Sequence, residues 1–93
     1  MDSNDILTVV GRMERLLIDS ESSQITYRLR NLVVFVEYHY DTISKHDTGA
    51  LQRILKLNDT VVTEHASLFE ESTRIADEYK RTIAILNKKM CDV

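Results

Sequence analysis

The side chains able to do chemistry are few and poorly spaced for it. The chain of 93 residues holds three histidines and one cysteine. His39, His46 and His65 stand apart from one another and from Cys91, whereas a zinc site needs close paired ligands such as Cys-x-x-Cys or His-x-x-x-His. Metal binding is therefore not expected. Glu70-Glu71 with Asp77-Glu78 reads as a solvated face, because an acid–base pair needs a pocket that raises the pKa of one carboxyl group. No Gly-rich loop exists to cradle phosphate, and Gly49 lacks the Lys-Ser/Thr pair behind a further glycine that such a loop requires. Lys88-Lys89 is too short to track a phosphate backbone. Tyr27, Tyr38, Tyr40 and Tyr79 lack the basic groove that would make them stacking platforms for bases, and suit helix-interface anchors instead. Cys91 reads as an inert thiol, since reactivity needs a stronger positive field than Lys88 and Lys89 supply. The inventory points away from an enzyme, and away from a cofactor, a nucleic acid or a small-molecule substrate.

The elements that must carry these residues follow from composition. Two Gly and no Pro leave too few turn formers for a multi-stranded β fold, which needs a turn roughly every 8–12 residues. The length allows one domain, and a chain this short buries only about 60–65% of its unfolded surface. Twelve basic against fifteen acidic residues give a net charge of −3, without the clustered basic footprint of a nucleic-acid binder. One cysteine excludes an internal disulfide and fits a reducing compartment. The start, Met1-Asp2-Ser3-Asn4-Asp5, is acidic where a secretory signal would be basic. The longest apolar run, Leu32 to Val36, is far short of a membrane span. Asn58-Asp59-Thr60 matches a glycosylation triplet, which its mid-helix position argues against using.

The expected fold is all-α: an elongated helical hairpin or coiled-coil-like bundle that completes its core with partner helices. Three segments are predicted. The first, about 5–19, places Ile6, Val9, Val10, Met13, Leu16 and Leu17 on one helical face, with Asp2 or Ser3 as its cap and Gly11 as a tolerated glycine or, less favoured, a packing notch. A break over Ser20–Gln24 follows, with Ser22 or Ser23 capping the next helix. The second, about 24–45, alternates four- and three-residue steps through Ile25, Leu29, Leu32, Val36, His39 and Ile43, the seam of a bundle. Its β-branched and aromatic stretch Leu32–Tyr40 also carries strand propensity, but nothing exists for a strand to pair with. Leu32 and Val36 are candidate partner contacts. Asp47 or Thr48 caps the third segment after a break at Ser44–Gly49.

The third segment, about 50–90, carries two apolar rows at seven-residue spacing. One is Ile54, Val61, Leu68 and Ile75; the other is Leu55, Val62, Phe69, Ala76, Ile83 and Met90. A flanking row runs Leu51, Asn58, His65, Ser72, Tyr79, Leu86, with Asn58 and His65 read as a partly exposed interface edge or, more sharply, as register-setting positions. Glu70–Arg74 and Asp77–Arg81 are expected i,i+4 pairs. As one helix the segment would be a rod of about 60 Å. One hairpin partner cannot cover both rows, so Leu51, Ile54, Leu55, Val61, Val62, Leu68, Phe69, Ile75, Ala76, Tyr79, Ile83, Leu86 and Met90 are the candidate partner interface. Phe69, the largest apolar residue near the middle, is expected to matter most.

The third segment resembles the C-terminal helix of the small dynactin shoulder subunit family, dynactin subunit 3. The carrying residues are Leu51-Gln52-Arg53-Ile54, Glu70-Glu71-Ser72, Glu78-Tyr79, Thr82, and Leu86 through Met90. Met13-Glu14-Arg15-Leu16 resembles the family's first helix. The resemblance implies a non-catalytic subunit of a dynein-activating complex, packed as long helices with dynamitin and the large Glued-type subunit. It also implies a cytoplasmic, cytoskeleton- and centrosome-associated location. The runner-up is a small coiled-coil subunit of a kinetochore, tethering or lysosome-positioning complex, and the third reading is a self-assembling bundle.

Overall fold

The three- and four-residue apolar periodicity becomes six helices, and no strand, in the computed structural model, which describes residues 2–71 and 73–91. These are α1 (Ser3–Ile18), α2 (Ser22–Tyr38), α3 (Tyr40–His46), α4 (Thr48–Glu64), α5 (Ala66–Glu70) and α6 (Arg74–Cys91). The aromatic and β-branched run from Leu32 lies in α2. Periodicity outweighs β propensity there because strand propensity is a preference for a pleated, paired surface, and none forms.

Local chemistry sets the helix ends. The Asp2 carboxylate accepts from the Asp5 amide at 2.9 Å, capping α1. The first break contracts to Asp19–Glu21, and Ser22 and Ser23 lie inside α2, whose N-cap is Glu21 with no side-chain hydrogen bond. Arg28 closes this corner from α2. Its guanidinium donates to the Leu16 carbonyl at 2.9 Å and to the Ser20 hydroxyl at 3.0 Å, satisfying a carbonyl that the helix end leaves unpaired. The second break narrows to Asp47, whose carboxylate accepts from the Ala50 amide at 3.2 Å.

Two of the three predicted segments are subdivided. Segment two bends at His39, where φ −102° and ψ 23° leave the helical well. The amide of His39 still donates to the Phe35 carbonyl, and that of Ile43 to the His39 carbonyl, each at 3.0 Å. The ladder thus continues through the bend, and α3 turns to pack on α1 and α4. Segment three does not form a 60 Å rod. It breaks at His65 and again between α5 and α6, and α6 folds back along α2. The Thr73 hydroxyl accepts from the Ala76 amide at 3.1 Å, capping the start of α6. The molecule measures 35 × 28 × 20 Å. The physical reason is burial: a straight third helix leaves its apolar rows in water, and folding α6 back covers them within the chain.

The core centres on α2, which packs against α1 on one flank and α6 on the other. Leu29, Leu32, Val33 and Val36 are fully buried with Val10, Ile43, Ile54 and Leu86, each contributing roughly 1.5–3 kcal/mol of transfer free energy. Charged side chains tie the flanks. Arg30 meets Glu78 at 3.1 Å and Lys89 meets Glu37 at 3.3 Å, so α2 and α6 run parallel. Arg53 on α4 holds both Glu14 oxygens on α1 at 3.0 Å. Of the expected i,i+4 pairs, Glu70 and Arg74 sit on different helices, and Asp77 and Arg81 form no ion pair among the described residues. Arg74 pairs instead with Glu78 at 3.9 Å. Gly11 is not a packing notch, since a Cβ added there would meet nothing within 4 Å. Among the described residues no helix is long and apolar enough to cross a membrane.

Candidate functional site

The residues assigned to a partner interface lie largely inside this chain's own core. Leu32, Val36, Leu51, Ile54, Val61, Phe69, Ala76, Tyr79 and Leu86 are buried. Leu55, Val62, Leu68, Ile83 and Met90 are partly buried and packed against that core, and Ile75 is half-buried. The row with the polar middle turns out to face the core most squarely: Leu51, Asn58, Tyr79 and Leu86 are all buried. The two rows of purely apolar residues occupy its flanks as well as its centre. Because α6 folds back, residues separated by three heptads along the sequence come face to face.

Asn58 and Tyr79 are the clearest case. The Tyr79 hydroxyl donates to Asn58 Oδ1, and Asn58 is the buried polar residue of the core, 7% exposed. Each satisfies a group that would otherwise cost free energy to bury. Phe69 packs on the Tyr79 ring, with centroids 5.2 Å apart at 55°. Burial pushes the Tyr79 phenol up to about 12, with the Asp59 charge adding to the rise and the Asn58 hydrogen bond opposing it. A phenol held so firmly protonated positions helices. It offers neither a base nor a nucleophile.

The histidines mark joints. His39 lies at the α2–α3 bend, its ring 4.5 Å from Phe35 and 4.9 Å from Tyr38. His65 lies between α4 and α5, and His46 ends α3. No three His, Cys, Asp or Glu side chains among the described residues come together as metal ligands would. Lys89 is committed to Glu37 and to the face of Tyr40, 5.6 Å from the ring centroid. Beside it an open groove of about 320 Å³ is lined by Tyr40, Ser44, Thr48, Leu51, Gln52 and Met90. Its hydroxyls and amide sit over an apolar floor without a converging charge. A second groove, about 240 Å³, lies between the end of α1, the start of α2 and the end of α4, with Ile18, Ile25, Leu57 and Val61 on its walls.

What the rows did not reveal is the outer apolar surface. Tyr27 and Tyr38 are 50% and 80% exposed. Eleven residues separate them, which is three helical turns, so both stand on the same outer face of α2. Val34, half-buried, lies between them on that face. Leu16 and Ile18 on α1 and Ile85 on α6 are the other large exposed apolar residues. The signal was available as a second apolar stripe on α2, opposite the Ile25–Leu29–Leu32–Val36 seam. No family model, no curated protein and no solved structure matches this chain.

Proposed function

We propose that the chain is a non-catalytic structural subunit of a dynactin-like complex. In this reading it supports dynein-driven transport along microtubules and joins dynamitin and the Glued-type large subunit by helix packing. The observation that carries the reading is the tyrosine stripe. Two large aromatic side chains on one face of the central helix, with an apolar residue between them, are the kind of anchor that dominates protein interfaces. The likeness of Leu51–Met90 to the small shoulder subunit names the host. The partner surface shifts accordingly from the third segment, whose rows serve the chain's own core, to the outside of α2.

The test is co-purification of the tagged chain with dynamitin and the Glued-type subunit, for the unmodified protein, Tyr27→Ser/Tyr38→Ser and Lys80→Ala. The unmodified chain and Lys80→Ala recover both partners, and the double tyrosine variant loses them while keeping its helical signal. Recovery of neither partner by the unmodified chain removes dynactin as host. Kinetochore, tethering or lysosome-positioning subunits in their place move the chain to that assembly. Capture undiminished by the tyrosine substitutions removes α2 as the surface.

A further inference from the structure

The breaks that fold segment three back are not imposed by the residues at them. Between Ala50 and Cys91 the sequence has neither Gly nor Pro, and no non-Gly residue among those described has positive φ. His65 at φ −125°, ψ 38° and Glu71 at φ −68°, ψ 132° are free to adopt helical angles. The seven-residue rows run through both breaks in unbroken phase, from Leu55 to Met90 and from Ile54 to Ile75. What holds the folded-back form is the local Thr73 cap on α6 together with tertiary contacts: the Arg30–Glu78 and Glu37–Lys89 pairs, the packing of Phe69 on Tyr79 and the Tyr79–Asn58 hydrogen bond. A sequence whose local pattern favours one helix and whose packing enforces three has two ways to bury the same rows.

We infer that a second copy of this chain supplies the alternative: α4, α5 and α6 straighten into one helix, and α6 of each copy takes the place of α6 in the other. The geometry of the folded chain already fits this exchange. α4 and α6 meet in opposite sense at two places, Asn58 against Tyr79 and Gln52 across a groove from Met90. Two straight helices laid antiparallel about a two-fold axis restore those neighbours between chains. The midpoint between Asn58 and Tyr79, and that between Leu51 and Met90, each fall within two residues of Phe69, which places the axis there. Each straight helix would be about 65 Å long, too long for its α6 to reach its own α2. The partner that fits the vacated site is an identical α6, which recreates the Arg30–Glu78 and Glu37–Lys89 pairs across the dimer. Such exchange of an identical element is a low-cost route to a symmetric dimer. It is independent of the host complex proposed above.

The experiment compares the full chain, Thr73→Ala and Arg74→Pro after refolding at matched high and low concentration, by size exclusion with light scattering. Losing the α6 cap weakens the folded-back form about fivefold per chain, so Thr73→Ala raises the dimer association constant about 25-fold. Proline fits the first position of α6 after its cap but breaks a continuous helix there. Arg74→Pro therefore stays folded and lowers dimer formation by more than about a hundredfold. A second readout separates exchange from surface association. With Gln52→Cys added, a short dithiol-reactive cross-linker joins that residue to Cys91. In the isolated dimer fraction it links two chains on a denaturing gel, and in the monomer fraction it closes within one chain. A dimer whose cross-links stay within single chains, or a dimer fraction unchanged by Arg74→Pro, overturns the inference, as does a chain that stays monomeric in all three forms.

Discussion

Replacing Tyr79 by Phe removes one oxygen atom from the core and leaves the ring against Phe69. Asn58 then keeps a buried amide whose Oδ1 has lost its donor. An unsatisfied group of this kind costs about 1–3 kcal/mol. In a domain of this size that lowers Tm by roughly 5–20 °C. The pH dependence gives the same substitution a second signature. The phenol's ordinary value is 10, and the fold raises it to about 12. Below pH 10 the phenol is protonated in both folded and unfolded chains, so its contribution is fully present. Above that, the unfolded chain releases the proton while the folded chain keeps it. Stability then falls with rising pH, by up to about 1.4 kcal/mol per pH unit, until the folded group titrates. The variant lacks this loss. Urea denaturation followed by circular dichroism, at low chain concentration from pH 8 to 11.5, reads the difference between the two proteins. Other lysines and tyrosines cancel in that difference. The wild-type advantage should hold steady to about pH 10 and shrink toward zero by about pH 11.5. A difference that stays constant across the range would refute the buried, hydrogen-bonded phenol. Asn58→Leu combined with Tyr79→Phe should recover most of the loss, since removing both partners leaves no orphan.

Phe69→Ala should destabilise the isolated chain by about 3–5 kcal/mol, read as a lower urea midpoint, because its ring is buried here rather than offered to a partner; Lys80→Ala, on an exposed face, should leave the midpoint unchanged. Leu29→Ala, at a fully buried position, should cost about 2–5 kcal/mol by the same assay. Gly11→Ala should stabilise α1 by up to about 1 kcal/mol, since the added methyl meets open space, and thermal melts should show the rise. Arg53→Ala should cost about 1–3 kcal/mol, because it strips the two-point partner from Glu14, whose side chain is only 13% exposed, and leaves that carboxylate unpaired; the loss should shrink in high salt.

The helices themselves were legible because Ile6, Val10, Leu17, Ile25, Leu29, Leu32 and Val36 repeat at helical spacing with no Pro and only Gly11 among them. The caps were legible to within one residue, as Asp2 or Ser3 and Asp47 or Thr48, short acceptors just ahead of an apolar run, and the aspartate takes the position in both. The bends were not. His39, His65 and Glu71 carry no breaker signal, and the return of α6 is held by the pairs Arg30–Glu78, Glu37–Lys89 and Asn58–Tyr79, far apart in sequence. The apolar rows of segment three pointed to further helices from a copy or from other subunits, whereas the folded chain covers most of them itself, with α6 along α2 and α4 against α3. Asn58 and Tyr79 stood in one row of the sequence, yet only the fold-back turns them toward each other. The outer face of α2 was hidden in plain view: Tyr27, Val34 and Tyr38 form a weaker stripe than the seam opposite, and only burial of the seam shows which one remains outside.

Everything turns on α6 returning to α2 and α4, and one distance reports it. Spin labels at native Cys91 and at Gln52→Cys, both exposed, can be read by pulsed dipolar spectroscopy on a dilute monomer mixed with unlabelled chain. A continuous helix would hold these positions about 58 Å apart. The folded-back bundle places Gln52 and Met90 on one groove, so the account predicts a single distance well inside the 35 Å long dimension of the molecule. A monomer whose distance distribution centres near 58 Å would contradict it.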